Sequence, residues 1–112
     1  MTEPLRTVDP RLVADNPFKL MADDWMLVTA GSLQSFNTMT ASWGALGELW
    51  HKKVCFCFVR PTRRTFEFME RHDMFTLSFF DEKYRAALDF CGKVSGRNTD
   101  KAKQAGLTPT LC

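Results

Sequence analysis

Residues Asn37 to Gly44 read NTMTASWG: three hydroxyls, an amide, a thioether and an indole in eight residues, with no charge. Strand alternation sends Asn37, Met39, Ala41 and Trp43 to one side and Thr38, Thr40 and Ser42 to the other. The segment therefore reads as a β-strand with a packing side and a row of hydroxyls. Such a row, joined by backbone amides, suits a flat heteroaromatic ligand fixed by hydrogen bonds. A strand with a threonine-rich solvent face has the same pattern, since threonine favours strands in general. The eight residues alone leave both readings open.

Outward from this strand the same periodicity recurs. WMLVTAG, Trp25 to Gly31, reads as a strand closed by a glycine turn. VCFCFV, Val54 to Val59, is apolar on both faces and predicts a central strand or one covered on both sides, and MFTLSFF, Met74 to Phe80, predicts a third strong strand. Between the last two, TRRTFEFMER spaces Phe66 and Met69 as on a helix face, with Thr62 or Thr65 placed to cap its start. DEKYRAALDFCG sets Tyr84, Leu88 and Cys91 on one helical stripe between an Asp81 cap and a Gly92 stop. TDKAKQAG predicts a last short helix from Thr99 or Asp100 to Gly106. The helices are too short and too few for a doubly wound sheet, which leaves a mainly β fold, a small barrel with peripheral helices. At 112 residues the chain has room for one domain, residues 1–112, and buries roughly two thirds of its unfolded surface. Ten Phe against one Tyr suggest a core built from aromatic strands.

The net charge of +2 hides an asymmetry. Residues 1–50 hold 3 Lys/Arg against 6 Asp/Glu, a net of −3, while residues 51–112 hold 12 against 7, a net of +5. The second half is where an anion would bind. Its densest cluster is RPTRRT, Arg60 to Thr65, placed between a strand and a helix start, where free N–H groups and the helix dipole attract a phosphate. An exposed turn solvated by its arginines fits the same residues. GKVSGRNTDK, Gly92 to Lys101, offers Ser95, Arg97 and Lys101 in a second basic loop but lacks P-loop spacing.

Other chemistries find little to stand on. Cys55, Cys57, Cys91 and Cys112 lack zinc spacing, Cys55 and Cys57 point the same way from one strand rather than bridge each other, and His51 near them makes only a weak cluster, so buried or free thiols and no metal site are expected. His51 and His72 have no Ser or Cys partner, and HKK is short for a nucleic-acid patch. No stretch reaches the ~18 apolar residues of a membrane span, and the start MTEPLRTVDP is unlike a signal peptide, so a cytoplasmic protein is expected. With no catalytic side chain identified, any reactivity belongs to a cofactor.

Four segments in order, DNPFKLMADDWMLVTAG, FNTMTASWGALGELW, VRPTRRTFEFME with FTLSFF, and GKVSGRNTDKAKQAGLTP, resemble the flavin reductase-like, FMN-binding split-barrel family that includes flavoredoxins and ferric reductases. The likeness covers roughly Asn16 to Pro109, spacing included. It implies a Greek-key split β-barrel that dimerises with flavin near the interface. By that resemblance Asn37, Thr38, Met39, Thr40, Ala41 and Ser42 line the isoalloxazine and ribityl chain, and Arg60, Arg64 and Thr65 hold the phosphate. Phe79 and Phe80 lie near the cofactor, and Ser95 and Lys101 close the pocket. The implied activity is that of an oxidoreductase passing electrons from reduced nicotinamide, NAD(P)H, or a protein donor through FMN, with FAD as the alternative, to flavin, iron or a protein. The competing implication is a non-catalytic flavin carrier or a truncated interaction module. Family members continue for several strands beyond GLTP, whereas this sequence ends at GLTPTLC, so an incomplete barrel with an open edge is expected.

Overall fold

Asn16 starts the first helix by accepting the Phe18 and Lys19 N–H groups on its side chain at 2.9 and 3.4 Å, and Pro17 presets the first helical φ. In this computed structural model, which describes residues 5–94 and 101–109, that helix is α1, Pro17–Lys19. It widens directly into a π-helical turn, Leu20–Asp24, that buries Leu20 and Met21. Trp25 then takes φ +65°, a left-handed value unfavourable for a bulky residue, and redirects the chain into the sheet.

Strand β1, Met26–Gly31, and strand β2, Phe36–Ala41, form an antiparallel hairpin closed by Ser32 to Ser35. The Ser32 N–H donates to the Ser35 carbonyl at 2.7 Å, and the Ser35 N–H donates to Ser32 Oγ at 3.1 Å. Gly31 is required here, because at φ +126° a Cβ would lie 2.3 Å from the Ser35 oxygen. Strand β3, Gly44–Leu49, pairs with strand β4, Lys52–Cys57, in a separate two-stranded sheet. Strand β5, Phe75–Ser78, joins the far side of β1, so the larger sheet has the order β2-β1-β5 and β2 is an edge.

Register divides that sheet into two chemically different faces. Val28 lies opposite Met39 and Leu77, and Met26 opposite Ala41. With Met21 these residues form one core, against which Cys57, Val59, Met69, Leu77 and Phe79 pack. Helix α2, Arg64–Arg71, supplies Met69 to this side. On the other face Leu27 lies opposite Thr40 and Ser78, and Thr29 opposite Thr38. Helix α3, Arg85–Lys93, covers it with Leu88 and Cys91, and helix α4, Lys101–Gln104, is followed by Ala105 and Leu107 in the same cluster. Each fully buried Met, Val or Leu contributes roughly 1.5–3 kcal/mol, so these two clusters fix both helix layers to one sheet. Gly106, at φ +77°, ends α4: its N–H donates to the Lys103 carbonyl at 3.2 Å and the Leu107 N–H to the Ala102 carbonyl at 2.8 Å. That double closure is why the glycine predicted the stop correctly.

Among the described residues the strands form two antiparallel sheets with short helices and no closed barrel, which fits the expected incomplete split barrel. The structure corrects three local expectations. VCFCFV is neither central nor covered on both sides: β4 pairs only with β3, and while Cys57 and Val59 pack on the methionine core, Cys55, Phe56 and Phe58 are exposed. Neither Thr62 nor Thr65 caps α2, whose cap residue is Arg63 with no side-chain hydrogen bond to the helix. Gly92 does not stop α3, which continues to Lys93. The proposed start of the last helix at Thr99 or Asp100 falls outside the described residues.

Candidate functional site

Edge strand β2 has two sides, and its side chains serve different ends on each. Asn37, Met39 and Ala41 are buried toward the α2 side. Asn37 donates its amide to Thr65 Oγ1 at 2.7 Å and to its neighbour's Thr38 carbonyl at 3.4 Å. Thr65, on the first turn of α2, is fully buried, so this pair stitches the helix start to β2. On the opposite side Thr38 shares a hydrogen bond of 2.9 Å with Thr29 across the hairpin, and Thr40 Oγ1 donates to the Leu88 carbonyl of α3. The predicted hydroxyl row is real, but two of its three members are engaged within the fold.

Ser42 and Thr40 line a cavity of about 230 Å³ together with Trp25, Leu88, Asp89, Gly92 and Lys93. The close approach of α3 to β2 depends on Gly92, where an added Cβ would meet Thr40 Cβ at 3.3 Å. Trp25 is held by its indole N–H donating to the Ala22 carbonyl at 3.1 Å and by the Arg85 guanidinium, 3.4 Å above its ring. Arg85 also donates to the Asp23 carbonyl. A left-handed Trp beside a cavity is backbone strain kept in place by its surroundings.

A basic corner lies toward the other end of β2. Lys101 is only 4% exposed, yet its ammonium has no ion-pair partner among the described residues. Nζ donates to the Thr38 carbonyl and to the Cys91 carbonyl, both at 3.0 Å. Cys91 is near the end of α3, where carbonyls point outward and the dipole favours a cation. Burial, reinforced by the positive charge of Arg63, pulls the Lys101 pKa down to about 8. Burial in turn raises the Cys91 thiol, with Lys101 opposing it.

The other candidates divide between site and scaffold. Arg60 lies 5.3 Å from the Trp43 ring centre, and Arg64 pairs with Glu67 at 3.3 Å while stacking 5.1 Å from Phe68. Arg63 is the arginine of this cluster whose positive charge acts on Lys101. Its position as the residue before the helix, two before the inward-facing Thr65, carried the signal. Phe79 packs on the methionine core, and Phe80 packs on the Leu27, Leu88 and Cys91 cluster behind the cavity wall, tilted against Tyr84 at 5.6 Å. Ser95 lies outside the described residues. Trp25, Asp89, Gly92 and Lys93 were not anticipated, because only the packing of α3 on β2 brings them together.

A β-strand rises about 3.3 Å per residue, so Thr38 and Ser42 stand roughly 13 Å apart along the edge. A cavity edged by Thr40, Ser42 and Asp89 at one end and, at the other, a lysine with no ion-pair partner among the described residues can take a ligand with a planar polar body and an anionic tail. A family model described as "Flavin reductase like domain" matches residues 18–111. No curated protein and no solved structure matches the chain.

Proposed function

The chain belongs to the flavin reductase-like family, a flavin-linked oxidoreductase domain, and from that premise we propose that it binds FMN along the β2 edge and uses reduced nicotinamide as electron donor. The observation that carries the choice of FMN is the Lys101 and Arg63 pair, two cations without a neutralising carboxylate among the described residues. A buried charge of that kind is costly unless a counter-ion completes it. The phosphate is that counter-ion.

The residues present fit the group in chemistry and fall short in size. Arg63, Lys101 and the uncapped first turn of α2 suit the phosphate. Ser42 and the rim of the cavity suit the ring edge. Enclosing a ligand of this size takes roughly 300–1,000 Å³, more than this cavity offers, so a homodimer in which a second subunit completes the pocket is part of the proposal. A bound flavin supplies the hydride and electron transfer. The chain's own work is to hold the phosphate at Arg63 and Lys101, orient the ring with Ser42 and the backbone of β2, and exclude water with Trp25 and Leu88. No side chain is assigned as acid or base.

Titration of the purified apoprotein with FMN and riboflavin tests the binding reading, and oxidation of NADH or NADPH by the flavin-loaded protein tests turnover. Tight FMN binding without nicotinamide oxidation would assign the chain as a flavin carrier. Equal affinity for FMN and riboflavin would remove the phosphate from the proposal.

A further inference from the structure

We propose that Cys55 and Cys57 of β4, together with the thioether of Met21, form a binding site for one soft monovalent cation of the Cu(I) class. The site belongs to the methionine core on the α2 side of the sheet, away from the cavity, and is independent of the flavin reading.

Strand alternation points Cys55 and Cys57 to the same face, with Leu46 and Gly44 of β3 opposite them. Cys57 packs against the methionine core and Cys55 is exposed, so the pair spans the boundary between core and solvent. Positions two apart on a strand are about 6.6 Å apart with parallel Cβ directions, too wide for the ~3.8 Å between the Cβ atoms of a disulfide. A cation is less demanding. Two metal–thiolate bonds of about 2.3 Å hold their sulfurs up to about 4.6 Å apart, a separation that side-chain rotation supplies without bending the strand.

The third donor comes from 36 positions before Cys57, which is why spacing in the sequence does not reveal the site. Gly44 has no side chain, and a Cβ built on it would lie 3.2 Å from Met21 Sδ and 2.6 Å from the Phe56 carbonyl oxygen. That carbonyl keeps position 44 a glycine, and the thioether occupies the space its side chain would fill. Directly opposed strand residues hold their Cβ positions about 4.5–5.5 Å apart, so Met21 Sδ and the Cys57 thiol flank one gap, and the flexible methionine can turn its sulfur into it.

The donor set selects the ion. Among the described residues no three His, Cys, Asp or Glu side chains gather where a metal could sit. His51, at the hairpin tip, is roughly 13 Å from Cys55 along the strand. Glu48, next along the same face, is engaged by Lys53. Zinc closes its structural sites with four donors, whereas two thiolates and a thioether suit the softer Cu(I) at low coordination number. Binding exchanges two thiol protons, released to solvent, for one cation whose oxidation state does not change. Burial, and after it the charge of Cys55, raises the Cys57 thiol pKa, and a cation between the sulfurs offsets both.

The test is competition for Cu(I) against bicinchoninate in oxygen-free buffer, with wild type, Cys55→Ser, Cys57→Ser, Met21→Leu and, as control, Cys91→Ala, whose thiol is buried in the other cluster. Wild type should hold one Cu(I) per chain and keep it against equimolar Zn(II). Either serine variant should bind at least about a hundredfold more weakly and Met21→Leu about tenfold more weakly, while Cys91→Ala matches wild type. Should Cys57→Ser fail to fold, Cys55→Ser, at an exposed position, carries the comparison. Half an equivalent of Cu(I) per chain, undiminished binding in a folded serine variant or in Met21→Leu, an equal loss in Cys91→Ala, or displacement by equimolar Zn(II) overturns the three-sulfur site.

Discussion

At the residue scale, two threonines and a serine in similar sequence surroundings have different duties. Thr65 receives the amide of buried Asn37, so Thr65→Val keeps the shape and strands that amide, with an expected loss of about 1–3 kcal/mol. Thr65→Ser keeps the oxygen and should cost far less, and the urea midpoints of the two variants check this. Thr40 bonds the Leu88 carbonyl, so its hydroxyl serves the contact of β2 with α3 as well as the cavity. Ser42 lines the cavity without such a tie. Ser42→Ala should therefore hold stability within about 0.5 kcal/mol of wild type while lowering flavin affinity. A fallen melting temperature with unchanged flavin binding would make Ser42 a scaffold residue.

At the element scale, α2 breaks a local rule at the place where function would require it. A helix start prefers Ser, Thr, Asp or Asn, and this one has Arg63 with no capping bond. Arg63→Ser should stabilise the apoprotein by about 1 kcal/mol and erase the preference for FMN over riboflavin. A gain in stability with the FMN preference intact would move the phosphate elsewhere. The segment around Lys101 gives the complementary prediction. Its folded pKa lies near 8, below the ordinary 10.5, so from pH 8 to 10.5 the unfolded chain binds more protons and apoprotein stability should rise with pH, as melting curves would show. Lys101→Met should lose that rise.

How much of this was readable in the sequence follows from where the information resides. Period-two alternation was enough for β1, β2 and β5, and Gly106 for the end of α4, because those signals are local. The α2 cap was misread because Thr65 is drawn inward by Asn37, 28 positions earlier. The cavity depends on Gly92 meeting Thr40 across two elements, and the influence of Arg63 on Lys101 joins residues 38 positions apart. An apolar run such as VCFCFV says that a strand seeks cover; it does not say from which chain.

That last point is the question at the scale of the whole molecule. The β3–β4 hairpin is largely exposed, with Trp50 82% exposed at its tip and Trp43 62% and Phe58 63% exposed just outside its strands at the open end. Two-stranded hairpins of this kind are marginal in water, and large exposed aromatic side chains along one suggest an interface. Trp50 and His51 at the tip both take φ near +55°, +52° and +58°, the values of a type I′ turn that Asn-Gly would adopt without strain. Bulky residues in such positions cost of order 1–3 kcal/mol each, and the proposed dimer would give that cost a use if Trp50 packs on the second subunit. The double variant Trp50→Asn, His51→Gly relieves the strain and removes the contact. Its melting temperature at high dilution should exceed that of wild type, while the rise of melting temperature with protein concentration should flatten and flavin binding weaken with it. Sedimentation would decide the case: a variant that assembles as tightly as wild type would place the hairpin tip outside the interface and leave its strain without a partner.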